Sequence, residues 1–584
     1  MKVCQTVGDL LEQVKNHQNP KALSGFIDDH WLSYSTDKVL ELIETIALSL
    51  ISLGVKKGQN IGLMCLPSPE WTMIDFAIMS IGCVSVPLFA NISDENFNHE
   101  VNETDIKILF FSGEEPSAVY QSHKHMFDVG IGVNEKGDKV LEWEEFLQKG
   151  RALKESEPNK FQTLLSSLTP DQTATIIYTS GSTGLPKGAE LSHKAIVSLT
   201  PFDQFEWNIE QDRYLSILPL AHVFGRVINV LFFYLGISIY YFNDVKKISL
   251  ICQDLHPTIL VVVPRLLERI YSRMLSKVQE SGYIKRQIGL WAFNLAHQEK
   301  EDFYKLFMHP IADSIVYSSL REAFGGQVRI VVSGGAALNP HLCHFFIDIG
   351  IPIFEGWGMT ESCPVTVNTE HFRKIGTVGK PVIDMQIKIG KDQEVLVKGS
   401  NVMKGYYKNE EMTKNTFDED GWLKTGDKGK IDEEGYLILE GRLKEMLKTS
   451  TGEYVVPVPI EQMLTRARFV DLAQVIAEGR KFASVLIFPN LDVIHALKNE
   501  TKMSNLSDEE FLQSDYIKNE MEKVLEQINL HLNHWEQIHD YRFILDQLTV
   551  EAGDLTPSMK LRRQHIEKKY ENVISGIYAE ESSL

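Results

Sequence analysis

Short β-type runs at 60–65, 84–89 and 106–111 are followed by others at 175–178, 259–263 and 328–332, and several are apolar throughout rather than at alternate positions. A strand with two apolar faces needs cover on both, which a parallel sheet flanked by helices supplies and a half-exposed antiparallel sheet does not. A helical pattern at 70–81 lies between the first two runs, the alternation of parallel α/β units. At 37–54, Val39, Ile43, Ile46, Leu50 and Leu53 form the stripe of an amphipathic helix, with Thr36 expected as its N-cap and Gly54 as its terminator. Between 264 and 324 the pattern is helical, with Leu267, Ile270, Met274 and Val278 on one face. Past Gly379 the texture shifts to short strands and glycine turns, then to mixed helix and strand from about Leu443. The expected fold class is α/β: a large body of parallel-sheet subdomains with a β-rich lobe, and a small mobile α+β domain at the C-terminal end.

At 584 residues the chain exceeds what one core normally serves, so several lobes are expected. Its formal net charge of −20 argues against duplex nucleic acid as a partner, because phosphate binding calls for a basic footprint. Six cysteines without a C-x-x-C pair indicate neither a zinc site nor a disulfide framework, and fit a reducing cytoplasm. The first residues lack the unbroken apolar stretch of a secretory signal. The run 227–242 is uncharged but short of the ~18 residues of a spanning helix. It reads as a buried helix entering a strand.

The strongest local signal is Tyr178-Thr179-Ser180-Gly181-Ser182-Thr183-Gly184-Leu185-Pro186-Lys187-Gly188, a hydroxyl- and glycine-rich loop directly after a strand. Small residues let backbone N–H groups and hydroxyls close around phosphate oxygens, and Lys187 adds local positive charge. A nucleoside triphosphate suits such a loop. The Walker ending is absent, since Pro186 precedes the lysine and Gly188 follows it.

Further along come Leu218-Pro219-Leu220-Ala221-His222-Val223-Phe224, Ser333-Gly334-Gly335-Ala336-Ala337-Leu338, Glu355-Gly356-Trp357-Gly358-Met359-Thr360-Glu361-Ser362, Thr425-Gly426-Asp427, Gly441-Arg442 and Lys560-Leu561-Arg562-Arg563. In this order and spacing the chain resembles the ANL superfamily of adenylate-forming enzymes over residues 37–570. Within it, the sequence around His222 and Arg226, Val263-Pro264-Arg265 with Glu268 and Tyr271, and Leu555-Thr556-Pro557 look most like long-chain fatty acyl-CoA synthetases.

The resemblance implies a role for each motif. The 179–184 loop and Lys187 would grip ATP phosphates. Glu361 would hold Mg2+, with Thr179 beside it, and Thr360 would touch the α-phosphate. Trp357 stands where the family more usually has tyrosine and would stack on adenine, while Gly335 and Ala336 form the opposite wall and Glu355, Gly356 and Gly358 complete the nucleotide-binding turn. Asp427 would accept from the ribose hydroxyls, with Arg442 completing the grip. His222 and Arg226 would lie on the acyl substrate's side. Lys560 would carry adenylation, and Lys444 would be the hinge between a domain at 1–441 and a mobile one at 442–584. The stretch 449–454 carries less glycine than the family usually shows, which departs from its pantetheine channel.

The implied reaction is ATP-dependent activation of a long-chain fatty acid as acyl-AMP, followed by transfer to coenzyme A. Rival readings are transfer to a carrier protein, release of acyl-AMP itself, or a regulator that binds nucleotide and acyl chain without chemistry. A cytoplasmic location is expected, and peripheral membrane contact is compatible with long acyl substrates although no basic amphipathic helix marks it. Oligomeric state is not legible.

Overall fold

The computed structural model describes residues 3–179, 185–244, 247–298, 303–443, 445–549, 552–555 and 561–579. Among these, one sheet of eight strands contains five consecutive parallel pairings, running from Thr173–Thr179 through Val84–Pro87, Asn60–Cys65, Ile108–Ser112 and Val129–Gly132 to Val140–Glu142. The unbroken apolar runs follow from this. In Asn60–Cys65, Ile61, Leu63 and Cys65 enter one core cluster and Met64 enters another on the opposite face. A second sheet of nine described strands is parallel through Ser238–Tyr241, Arg213–Ser216, Ile259–Val262, Ile330–Ser333 and Ile353–Met359.

Helix Thr36–Ser52 begins one residue earlier than the sequence suggests. Ser35 is its N-cap, accepting from the Lys38 N–H, while Thr36 opens the helix and hydrogen-bonds Asn19; both residues carry a cap-competent hydroxyl, and Ser35 holds the extended backbone a cap requires. The apolar run after His222 is helix Val223–Leu235 leading into strand Ser238–Tyr241. Among the described residues no helix is long and apolar enough to cross a membrane. All six cysteines are buried, with no disulfide among them.

Helices Pro264–Glu280, Tyr283–Ala296 and Phe303–Ala312 decorate the second sheet, sealing it through Leu267 and Met274. The β-rich lobe is a four-stranded antiparallel sheet ordered Met385–Ile389, Glu394–Gly399, Leu423–Ile431 and Leu437–Arg442. Beyond it, strands Val470–Ile476, Ala483–Pro489 and Ile538–Phe543 carry cores of their own. This last unit touches the body through an Arg265–Asp471 ion pair at 2.6 Å and through Gln462, whose side-chain amide donates to the Ala337 carbonyl at 2.7 Å.

Candidate active site

Two strands flank the phosphate loop. Thr173–Thr179 enters it and Lys187–Ser192 leaves it, antiparallel with a bulge between Thr173 and Thr175, and Thr179 faces Lys187 across the hairpin. Flanking contacts hold both sides: the Tyr178 hydroxyl donates to Glu103 at 2.6 Å, and His99 Nε2 donates to the Pro186 carbonyl at 2.9 Å. Ser180, Gly181, Ser182, Thr183 and Gly184 lie outside the described residues, as do Lys444 and Lys560.

The short strand Gly405–Tyr406 extends the same sheet by pairing with Lys187–Ser192, Tyr406 opposite Ala189. From there the Tyr406 ring lies 5.8 Å from the Lys187 ammonium, and its hydroxyl donates to Glu361 Oε1 at 2.7 Å. Burial and then the neighbouring Glu361 carboxylate push the Tyr406 phenol well up, while Arg442 pulls the other way. Sequence reasoning passed over Tyr406. Its only signal is a glycine followed by two tyrosines in a polar stretch.

Thr360 and Glu361 sit in the tight turn between strands Ile353–Met359 and Cys363–Val367, both almost fully buried. The turn is close-packed: a Cβ on Gly358 would lie 2.1 Å from the Cys363 carbonyl oxygen, so this position admits only glycine. The Met403 N–H donates to the Glu361 carbonyl at 2.7 Å, tying the turn to the segment that carries Tyr406.

Earlier on the same strand, Trp357 directs its indole N–H to Asp427 Oδ2 at 2.9 Å. Asp427 and Arg442 face each other across adjacent strands, the guanidinium Nε lying 3.0 Å from Asp427 Oδ1. Gly335 and Ala336 follow strand Ile330–Ser333, which pairs in parallel with the strand carrying Glu355, Gly356, Trp357 and Gly358. A Cβ on Gly334 would stand 3.0 Å from Phe224 and 3.3 Å from the Gly356 carbonyl oxygen, so this loop, that strand and the start of helix Val223–Leu235 meet at one place. His222 caps that helix, its Nδ1 accepting from the Phe224 N–H at 3.2 Å.

Glu355 is 8% exposed, and its Oε1 has no hydrogen-bond partner among the described residues. Burial pushes its carboxyl up to about 7, against the pull of the Gly376 and Leu338 backbone N–H groups. The side chain thereby bridges the loop after Ser333 to the loop before Thr377.

Arg226 is elsewhere. Expected on the substrate side, it is 0% exposed, donates to both oxygens of Asp75 at 2.8 and 2.5 Å, and reaches the Thr175 hydroxyl at 2.5 Å. A guanidinium taken out of water needs such partners, and Asp75 supplies the opposite charge. We assign it to the core, holding helix Pro69–Ser80 to strand Thr173–Thr179.

The hairpin flanking residues 180–184, the carboxylate-bearing turn and the paired Trp–Asp–Arg cluster all lie at sheet ends of the α/β body. The chain belongs to the AMP-binding enzyme family, which it matches over residues 10–407, with the family's C-terminal domain matching 444–582. Among its relatives, long-chain-fatty-acid–CoA ligase FadD15 of Mycobacterium bovis is 32% identical, the match covering 95% of this chain and 94% of that protein. The peroxisomal long chain acyl-CoA synthetase 6 of Arabidopsis thaliana is 29% identical over 96% of this chain and 83% of its own. The fold is shared with the A domain of the Segniliparus rugosus carboxylic acid reductase in complex with AMP (TM-score 0.74, 20% identity, covering 98% and 94% of the two chains). It is shared too with ATP-bound MatB from Rhodopseudomonas palustris (TM-score 0.68, 20% identity, 97% and 99% covered).

Proposed function

We propose that this enzyme activates a long-chain fatty acid with ATP and transfers the acyl group to coenzyme A. The observation that supports this most is the shared neighbourhood of two clusters, Lys187–Tyr406–Glu361 and Trp357–Asp427–Arg442, in which Tyr406 feels the charges of both Glu361 and Arg442. One cluster has the chemistry for phosphates and the other for a nucleoside.

In the first half-reaction a carboxylate oxygen attacks the α-phosphorus, the bond from that phosphorus to the bridging oxygen breaks, and pyrophosphate leaves with the electron pair. Lys187 offsets charge on the phosphates, and Asp427 fixes the ribose. Lys560 supplies an ammonium to the carboxylate and α-phosphate; removing a donor of this kind costs about 3 kcal/mol or more of barrier. In the second half-reaction a thiol sulfur attacks the acyl carbon, the carbon–oxygen bond to AMP breaks, and the thiol proton passes to solvent. Movement of the part at 442–584 about Lys444 would exchange one set of groups for the other.

Mg2+ fits this site as a companion of the nucleotide. Glu361 offers a carboxylate with one oxygen held by Tyr406, and the described residues contain no cluster of three or more His, Cys, Asp or Glu side chains that could cage an ion alone. Glu361 and Thr179 would hold the ion together with phosphate oxygens, where it supplies charge neutralisation. Chain length would be read at about 0.8 kcal/mol per buried methylene, so neighbouring lengths are discriminated weakly.

The test is a series of carboxylates of graded length with ATP, Mg2+ and coenzyme A, scoring AMP and thioester in parallel. Equal AMP and acyl-CoA, greatest for long chains, is expected. Acid-dependent pyrophosphate release without acyl-CoA would move the acceptor to a carrier protein or leave acyl-AMP as the product.

A further inference from the structure

Helix Asp94–Thr104 lies against the strand that enters the phosphate loop. Ser93 caps it, accepting from the Asn96 N–H, and Phe97 and Val101 bury its apolar side in one core cluster with Ile176 and Tyr178. That side alone would hold the helix to the sheet. Two polar side chains do something more. His99 and Glu103 are four residues apart and so stand one above the other, yet their partners lie on opposite sides of residues 180–184. His99 Nε2 donates to the Pro186 carbonyl on the leaving side, and Glu103 Oε2 accepts from the Tyr178 hydroxyl on the entering side. The His99 and Tyr178 rings also meet edge to face, centroids 6.1 Å apart.

Each contact fixes a group next to the loop. Tyr178 is buried, and burial followed by the Glu103 hydrogen bond pushes its phenol well up, which keeps the hydroxyl a neutral donor. Pro186 has a fixed φ, so an anchored carbonyl sets the plane of the peptide that leads into Lys187. The last turn of the helix is tied to the residues that follow Tyr406. The Lys408 ammonium donates to the Glu103 carbonyl at 2.6 Å, and the Asn60 side-chain amide donates to the Thr104 carbonyl at 2.7 Å and to the Tyr407 hydroxyl at 3.2 Å. These donors satisfy carbonyls that a helix leaves open at its end. The Tyr407 N–H in turn donates to the Gly188 carbonyl at 2.8 Å. One helix thereby joins both flanks of the loop to the segment whose Tyr406 hydroxyl holds Glu361.

We propose that His99 and Glu103 are positioning residues for the triphosphate: gripping the Pro186 carbonyl and the Tyr178 hydroxyl from one helix turn, they fix both ends of the phosphate loop and with them Thr179 and Lys187. This role rests on the loop's proposed grip on ATP. It concerns the phosphates beyond the α-position, since the nucleoside is assigned to the Trp357–Asp427–Arg442 cluster.

The test is calorimetric titration of the full chain with α,β-methylene-ATP and Mg2+, an analogue whose α–β link does not break, and separately with AMP, which lacks the phosphates in question. His99→Phe keeps a ring beside Tyr178 and removes the donor. Tyr178→Phe removes the donor at the other end, and carries the test alone if thermal unfolding shows His99→Phe to be misfolded. His99→Gln keeps an amide donor in place of Nε2. Each Phe variant is expected to bind the analogue roughly fivefold more weakly with AMP affinity changed by less than about twofold, and His99→Gln to recover most of the loss. A helix that only supports the fold would move both ligands together. Equal weakening of analogue and AMP, analogue affinity unchanged in both Phe variants, or no recovery in His99→Gln would overturn the assignment. Absence of analogue binding by the natural chain would overturn it together with the ATP reading. The expected split in a natural chain that releases no pyrophosphate with any acid would keep the positioning role and remove acid activation, so the two fail separately.

Discussion

The Tyr406 hydroxyl donates to Glu361 Oε1 at 2.7 Å, bringing a residue of an added edge strand to the carboxylate of a distant turn. Tyr406→Phe keeps the ring beside Lys187 but removes the hydrogen bond that orients Glu361. Partners that orient a metal-binding carboxylate typically contribute 10–100-fold to affinity or activity. The variant should therefore need roughly ten times more Mg2+ for half-maximal pyrophosphate release, with unfolding unchanged. An unaltered Mg2+ dependence would separate Glu361 from the metal.

Asp427 accepts from the Trp357 indole and pairs with Arg442. Asp427→Asn keeps the shape and removes the charge, so nucleotide binding should suffer more than acid binding. A loss of about 1–3 kcal/mol corresponds to roughly a 5- to 150-fold rise in KM for ATP, with a smaller change in KM for the acid. Equal effects on both would place the residue outside the nucleoside's reach.

Arg226 is predicted to matter for stability rather than substrate choice. Removing one partner of a buried pair leaves Asp75 uncompensated, a cost of about 3–5 kcal/mol. Arg226→Met should lower the denaturant midpoint strongly while the folded fraction keeps its chain-length preference. A shifted preference with unchanged stability would return Arg226 to the substrate side.

Glu355 carries a pH signature. A carboxyl raised on folding from 4.5 to about 7 holds extra protons in the native state, so its contribution to stability is present below 4.5 and is lost as pH rises toward 7. Glu355→Gln does not titrate. Relative to the natural chain, the variant should gain up to ~3 kcal/mol of stability between pH 4.5 and 7, measured by denaturant unfolding. A constant difference across that range would mean the carboxyl is not raised.

Much of this architecture was legible because its signals are local. The two-faced apolar strand 60–65 announced helices on both sides. What escaped depended on partners remote in sequence. Asp75 precedes Arg226 by 151 residues, so spacing could not reveal that the arginine is committed to the core. Tyr406 acquires its place only when a two-residue strand joins the sheet edge at Ala189.

The most direct measurement is a single-turnover assay of pyrophosphate release with ATP, Mg2+ and a long-chain fatty acid, without coenzyme A, in the natural chain and in Asp427→Ala. One pyrophosphate per enzyme, dependent on the acid and strongly reduced by the substitution when ATP is held near the natural chain's KM, is predicted. No acid-dependent release at any chain length, or release that persists undiminished in Asp427→Ala, would contradict formation of an acyl-adenylate at this site.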